Sequence, residues 1–159
     1  MVKVLFVCLG NICRSPMADG VFQHMVTSAG LADEIMVDSA GTASYHIGET
    51  AHKGTLRILK DNGISYRGRA RQLRNDDLRL YDYVLAMDTS NLSNIQAIPS
   101  NPSEKAIVSL FLQYAHDAGD VDVLDVPDPY YDNRFEYVYE LVTKGSQALL
   151  AHIREAHDL

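Results

Sequence analysis

The chain opens on a run of apolar residues, Val2, Val4, Leu5, Phe6 and Val7, broken only by Lys3 and ending at Cys8. A run without strict alternation suits a strand covered on both faces in a parallel sheet, so position 8 falls at the strand's carboxyl end. After a loop containing Gly10 and Asn11, Ser15-Pro16 predicts a helix start, with Ser15 as N-cap and Pro16 at the first helical position, where its missing N–H costs nothing. Met17, Val21, Phe22, Met25 and Val26 then recur at helical spacing, and Gly30 supplies a stop. The alternation continues. Residues 35–38 read as a strand, 51–62 as a helix ended at Gly63, and 83–87 as a strongly apolar strand. Residues 91–98 form a weaker helix before Pro99, and 106–110 a short strand or strand-to-helix junction. Residues 133–156 make a long final helix, with Phe135, Val138, Leu141, Val142, Leu149 and Ile153 along one stripe and Gly145 weakening its middle. Residues 113–129, rich in Asp and Gly, read as one long loop, and loops of that length are often functional.

Strands and helices that trade places in this way predict a doubly wound α/β fold with a parallel sheet, whose ligands bind outside the carboxyl ends of the strands at the switch in strand order. The segment from Cys8 to Ser15 occupies that place. A length of 159 residues fits one domain, 1–159, and a composition 47% hydrophobic and 22% charged is that of an ordinary globular chain. A net charge of −7 argues against broad contact with nucleic acid or anionic membrane. Any anion site must therefore make its positive potential locally. The opening apolar stretch is too short for a signal segment or a membrane span, which leads to the expectation of a cytoplasmic protein. Cys8 and Cys13 are the only two cysteines, too few for a disulfide scaffold, so a reducing compartment and a chemical role are expected.

Cys8-Leu9-Gly10-Asn11-Ile12-Cys13-Arg14-Ser15 is a cysteine, five residues, an arginine and a hydroxyl residue between a strand and a helix N-terminus. A phosphate dianion needs donors converging on one point, and successive backbone N–H groups curling into a helix supply them together with the helix dipole. Arg14 adds a planar fork that can hold two oxygens and grip the transition state more tightly than the substrate. The same positive field favours the thiolate form of the Cys8 nucleophile. A zinc site would need a second Cys or His pair at ligand spacing, and the six histidines are scattered. A plain core cysteine at position 8 would not explain the Arg14 spacing or the helix start.

With Val7 to Pro16 as the signature loop and Asp128-Pro129-Tyr130-Tyr131 as the acid motif, the sequence resembles the low-molecular-weight protein tyrosine phosphatase family over nearly its whole length. The resemblance implies a flavodoxin-like three-layer sandwich with four parallel strands. It implies a metal-independent hydrolase without cofactor, working through a phosphocysteine intermediate. Cys8 would be nucleophile, Arg14 the phosphate and transition-state binder, and Asp128 the general acid and then base. Leu9, Gly10, Asn11, Ile12, Cys13 and Ser15 complete the phosphate loop, with Asn11 in the left-handed conformation and Ser15 either donating to the sulfur or serving as a plain cap. Ser39 and Asp88 match family positions that support the loop, although Asp88 reads equally as a helix N-cap after Met87. Tyr45, Tyr130 and Tyr131 would contact the substrate ring, above a floor of Leu9 and Ile12. Cys13 is either a partner for a reversible disulfide with Cys8 or a small residue packed under the loop.

By the same resemblance the substrates are tyrosine-phosphorylated proteins and the inhibitors phosphate or other oxyanions, for a monomer or weak dimer that binds neither nucleic acid nor membrane. Relatives acting on phosphoarginine carry threonine where this chain has Ile12, which favours phosphotyrosine. An arsenate reductase of this architecture would need further cysteines, and a catalytically dead phosphotyrosine-binding module would not need Cys8, Arg14 and Asp128 together. One departure stands out. Many relatives place a loop-bonding histidine two residues before Ala-Arg-Gln, where this chain has Gly68. The basic run from Arg67 to Arg74 reads as a solvated face in preference to a contact for acidic phosphopeptides.

Overall fold

A computed structural model describes residues 1–99 and 102–159. In chain order its elements are β1 (Val2–Cys8), α1 (Arg14–Ser28), β2 (Ile35–Gly41), α2 (Lys53–Asp61), α3 (Asp77–Leu80) and β3 (Tyr83–Ala86). They continue with α4 (Thr89–Gln96), β4 (Ile107–Leu110), α5 (Gln113–Asp117), α6 (Pro129–Asp132) and α7 (Phe135–Ala156). The four strands pair in the order β2-β1-β3-β4, all parallel, so the doubly wound sheet predicted from the alternation is present. Chain order leaves β1 for β2 on one side and then crosses to β3 on the other. The switch in strand order therefore lies at the carboxyl end of β1, where residues 9–13 sit.

The apolar run of β1 is explained by two cores. Val4 and Phe6 join the cluster built with Met17, Phe22, Val138 and Leu149, while Leu5 and Val7 join Leu78, Val84 and Ile95 on the opposite face. Residues 4–7 are fully buried, so each side chain of the strand has a core to enter. Phe6 stands edge-on between Phe22 at 5.7 Å and Phe111 at 5.2 Å, a favourable aromatic geometry. Gly145, which looks like a weak point in the stripe of α7, is a close-packing position. A Cβ there would lie 2.6 Å from the Phe111 ring.

Several boundaries differ from the pattern, each for a physical reason. α1 begins at Arg14, two residues earlier than the Ser-Pro signal; Cys13 stands at its cap without a side-chain cap bond, and the Ser15 hydroxyl bonds the Cys8 sulfur instead. β2 runs on to Gly41 because Ser39, Ala40 and Gly41 pair with Phe6, Val7 and Cys8. The stretch 113–129 is not one loop: α5 occupies its start, held by the buried Leu112 and Ala115, which join the main core beside α7. α3, absent from the periodicity reading, is a four-residue helix whose first residue, the fully buried Asp77, receives two hydrogen bonds from the Arg71 guanidinium. Among the described residues no helix is long and apolar enough to cross a membrane.

Candidate active site

Cys8 ends β1 with only 3% of its surface exposed. The chain then turns through Asn11, whose φ of 57° lies in the left-handed region that asparagine tolerates. This turn aims the Asn11 backbone N–H at the Cys8 sulfur, 3.2 Å away. The Asn11 side chain is fixed at three points: its Nδ2 donates to Ser15 Oγ (2.8 Å) and to Ser39 Oγ (3.0 Å), and its Oδ1 accepts the Arg71 backbone N–H (3.0 Å). Because the backbone N–H identifies the acceptor end of that amide, the other end must donate. Ser15 Oγ therefore accepts from Asn11 and keeps its own hydrogen for the Cys8 sulfur at 3.0 Å, with the Ala40 carbonyl farther off at 3.4 Å. The sulfur thus faces two donors, a backbone N–H and a hydroxyl.

Arg14 is buried at the first position of α1. Its Nη1 donates to Asp88 Oδ2 at 2.6 Å and to the Val126 carbonyl at 3.0 Å, and its Nη2 lies 3.5 Å from Asp128 Oδ2. Burial works against the guanidinium's charge, but Cys8, Asp88 and Asp128 outweigh it and hold the group above its ordinary value. Asp88 does two things at once: Oδ2 takes Arg14, and Oδ1 accepts the Asn91 N–H as the N-cap of α4. Cys13 lies in a different environment. Burial, the neighbouring Cys8 and Asp128 push its thiol up to about 12 against the opposing pull of Arg14, so it stays protonated at neutral pH. Both cysteines are free thiols.

Asp128 caps α6, its Oδ1 accepting the Tyr130 N–H at 3.0 Å, with Pro129 at the first helical position fixing the backbone that follows. It reaches the same cleft as the loop. That cleft, about 200 Å³, is lined by Cys8, Leu9, Gly10, Ile12, Cys13, Arg14, Tyr45, Asp128, Tyr130 and Tyr131. Asn11 and Ser15 lie buried beneath the loop, and Ser39 joins them there through the Asn11 amide. Tyr45 and Tyr131 are mostly exposed, and Tyr130 half so.

The structure adds residues that the pattern did not reveal. His46 lines the cleft, its Nδ1 2.7 Å from Glu49 Oε2 and its ring 6.3 Å from that of Tyr130. His52 stacks on Phe135 at 5.0 Å and meets Tyr130 edge-on at 6.0 Å. Burial and Lys53 lower the basicity of His52, which suits its use of Nδ1 as acceptor for the Gly54 N–H. Isolated histidines carry no spacing signal. The space above Gly68 also has an occupant, for a Cβ at that position would collide with the Tyr66 hydroxyl. Tyr66 reaches the loop network from two residues upstream, with its oxygen 3.3 Å from Ser39 Oγ. The basic run does not form a uniform solvated face, since Arg71 is tied to Asp38 and Asp77. Among the described residues no group of three or more His, Cys, Asp or Glu side chains could hold a metal ion.

A Cys-X5-Arg-Ser loop wound onto a helix at the switch point of a parallel sheet defines an oxyanion-handling α/β protein. Comparison with known proteins narrows the class. The family model described as low molecular weight phosphotyrosine protein phosphatase matches residues 3–158. The chain is 44% identical over 160 residues to the low molecular weight protein-tyrosine-phosphatase YfkJ of Bacillus subtilis, covering 100% of both, and 41% identical over 155 residues to PtpA of Staphylococcus aureus, covering 96% of this chain and 94% of that one. The crystal structure of YfkJ superposes with a TM-score of 0.90 at 42% identity, covering 99% of this chain and 97% of that one. The Drosophila arginine phosphatase DARP superposes with a TM-score of 0.88 at 30% identity, covering 97% and 98%. The chain belongs to the low molecular weight phosphotyrosine protein phosphatase family.

Proposed function

We propose that this chain, acting as one domain over residues 1–159, hydrolyses phosphotyrosine in proteins, and small aryl phosphates, through a phosphocysteine intermediate without metal or cofactor. The observation that carries the reading is the Cys8 sulfur receiving the Asn11 N–H and the Ser15 hydroxyl in the same cleft as Arg14 and Asp128. In the first step the sulfur attacks phosphorus in line with the leaving oxygen. The S–P bond forms as the P–O bond breaks, Arg14 and the loop N–H groups take the equatorial oxygens, and Asp128 gives its proton to the departing aryloxide. In the second step Asp128 takes a proton from water as the water oxygen bonds phosphorus. The S–P bond then breaks to return the thiolate, which the Ser15 hydrogen bond makes a better leaving group.

Tyr130 and Tyr131, with Tyr45 across from them, suit a planar phenyl ring over the floor of Leu9 and Ile12. DARP, named an arginine phosphatase, gives a second reading on the same fold. Ile12 stands against it, because a buried isoleucine has no hydroxyl to meet a guanidinium. Tyrosine-phosphorylated proteins are thus the proposed partners, phosphate and similar oxyanions the proposed inhibitors, and a monomer or weak dimer in a reducing cytoplasm the proposed setting. Purified Cys8→Ser protein is expected to bind phosphotyrosyl peptides without turning them over and to retain phosphotyrosyl proteins from a lysate. Residual turnover near the parent rate would remove Cys8 as nucleophile.

A further inference from the structure

The hydrogen bonds under the loop continue past Asn11 to a pair of groups that the chemistry above does not use. Asn11 Nδ2 donates one hydrogen to Ser15 Oγ and the other to Ser39 Oγ. Ser39, itself buried, then has its own hydrogen to place, and the Tyr66 oxygen lies 3.3 Å away. Tyr66 in turn donates its hydrogen to Asp19 Oδ2 at 2.8 Å. With Asp19 ionised, the bonds in this chain run one way, because the Arg71 N–H fixes the Asn11 amide at one end and a carboxylate, which only accepts, stands at the other. Burial and the nearby Asp19 push the Tyr66 phenol above its ordinary value, so it remains an O–H donor across the working range. The absence of a side chain at Gly68 gives the phenol its room.

The geometry points to Tyr66 and Asp19 as positioning residues for the sulfur of Cys8. Asp19 holds the Tyr66 hydrogen outward, which leaves the Tyr66 oxygen free to accept from Ser39. Ser39 then always offers Asn11 a lone pair. Asn11, held from that side, presses its other N–H on Ser15, so that the Ser15 hydrogen faces the sulfur. Two anionic acceptors, the Asp19 carboxylate and the Cys8 thiolate, terminate one chain of donors that begins at the Asn11 amide. Asp19 and Tyr66 also line a shallow surface groove with Gln23, His24 and Arg67, so this far end of the chain meets solvent while the near end meets substrate.

The inference rests on the phosphocysteine route and is tested where that route can be seen separately. Stopped-flow hydrolysis of p-nitrophenyl phosphate resolves a burst of nitrophenol, which reports sulfur attack, from the steady state, which reports hydrolysis of phosphocysteine. Tyr66→Phe keeps the ring and removes the hydroxyl. It is expected to lower the steady-state kcat about fivefold, the rate equivalent of one ordinary hydrogen bond, with KM falling alongside it and the burst rate and kcat/KM preserved. Asp19→Asn is expected to do the same, and the double variant to be no worse than either single one, since both break the same chain. A Tyr66→Phe enzyme with the parent kcat, a loss confined to KM, or losses that multiply in the double variant would each overturn the assignment. Absence of any phosphocysteine in the parent protein would instead overturn the reaction route.

Discussion

The floor of the cleft and its wall are built on opposite principles. Beneath the phosphate loop, Asn11, Arg14, Ser15 and Ser39 are almost wholly buried, and each is held by two or more directed hydrogen bonds. Around the rim, Tyr45 is 75% and Tyr131 80% exposed, with ring contacts to His46 and to Tyr130 respectively. On the proposed reaction route the difference separates two tasks. Charge development at a sulfur and a phosphorus requires donors that do not reorganise during the reaction, which buried bonded groups provide. Receiving the varied surroundings of a phosphotyrosine requires surfaces that adapt, and exposed aromatic rings provide those at low entropic cost.

The contrast can be broken most sharply at Arg14. Arg14→Lys keeps the charge but loses the planar fork and its simultaneous grip on Asp88 and Val126, and kcat is expected to fall roughly 10²- to 10³-fold in steady-state assays. Retention of more than a tenth of the activity would show that charge alone suffices. Asp128 lies between floor and wall. Asp128→Ala is expected to slow substrates with poor leaving groups by about 10²-fold and nitrophenyl phosphate much less, because only the former need the proton. An equal loss for both would refute the donor role.

At the rim the effect shrinks. Tyr131→Ala is expected to raise KM for a phosphotyrosyl peptide by about two- to tenfold with kcat nearly unchanged, the scale of one aromatic contact. The smallest expected effect lies at the far end of the buried chain. Burial raises the Asp19 carboxyl from 3.8 to about 6, against the opposing hydrogen bond of Tyr66. The folded state therefore binds more protons than the unfolded state between those values. The Asp19 contribution to stability must fall as pH rises through that window and level off above it. Urea titrations from pH 4 to 7 should show this decline in the parent protein and not in Asp19→Asn.

What could be read from the sequence was contiguous. The run of β1 needs only its own residues to announce burial on two faces, and the loop from Cys8 to Ser15 carries its spacing, its glycine and its helix start within eight positions. The groups that steady the loop are not contiguous with it, so Ser39 and Asp88 were named only through the family resemblance, and the sheet gathers the rest from far along the chain. Ser39 and Gly41 arrive through the register of β2 beside Phe6 and Cys8, Arg71 through its backbone N–H, and Val126 through its carbonyl, which any residue type would supply. Tyr66 was hidden for another reason: the empty position at Gly68 looked like a missing support, and only the packing shows that the space is filled from two residues earlier. Ser15 was legible both as a cap and, through the family resemblance, as a donor to the sulfur, and its hydroxyl lies against the sulfur while the helix cap at Cys13 has no side-chain bond. The wall tyrosines were legible as a pair after Asp-Pro, but the histidine rings against Tyr130 left no trace in the spacing.

One carboxylate joins the start of a helix to the guanidinium proposed to grip the anion. Asp88 closes the first turn of α4 with one oxygen and fastens Arg14 with the other. Fraying at that helix end is thereby felt as a loosened guanidinium, so a change on the outer side of α4, distant from any substrate, can detune the reaction by way of a shared tether.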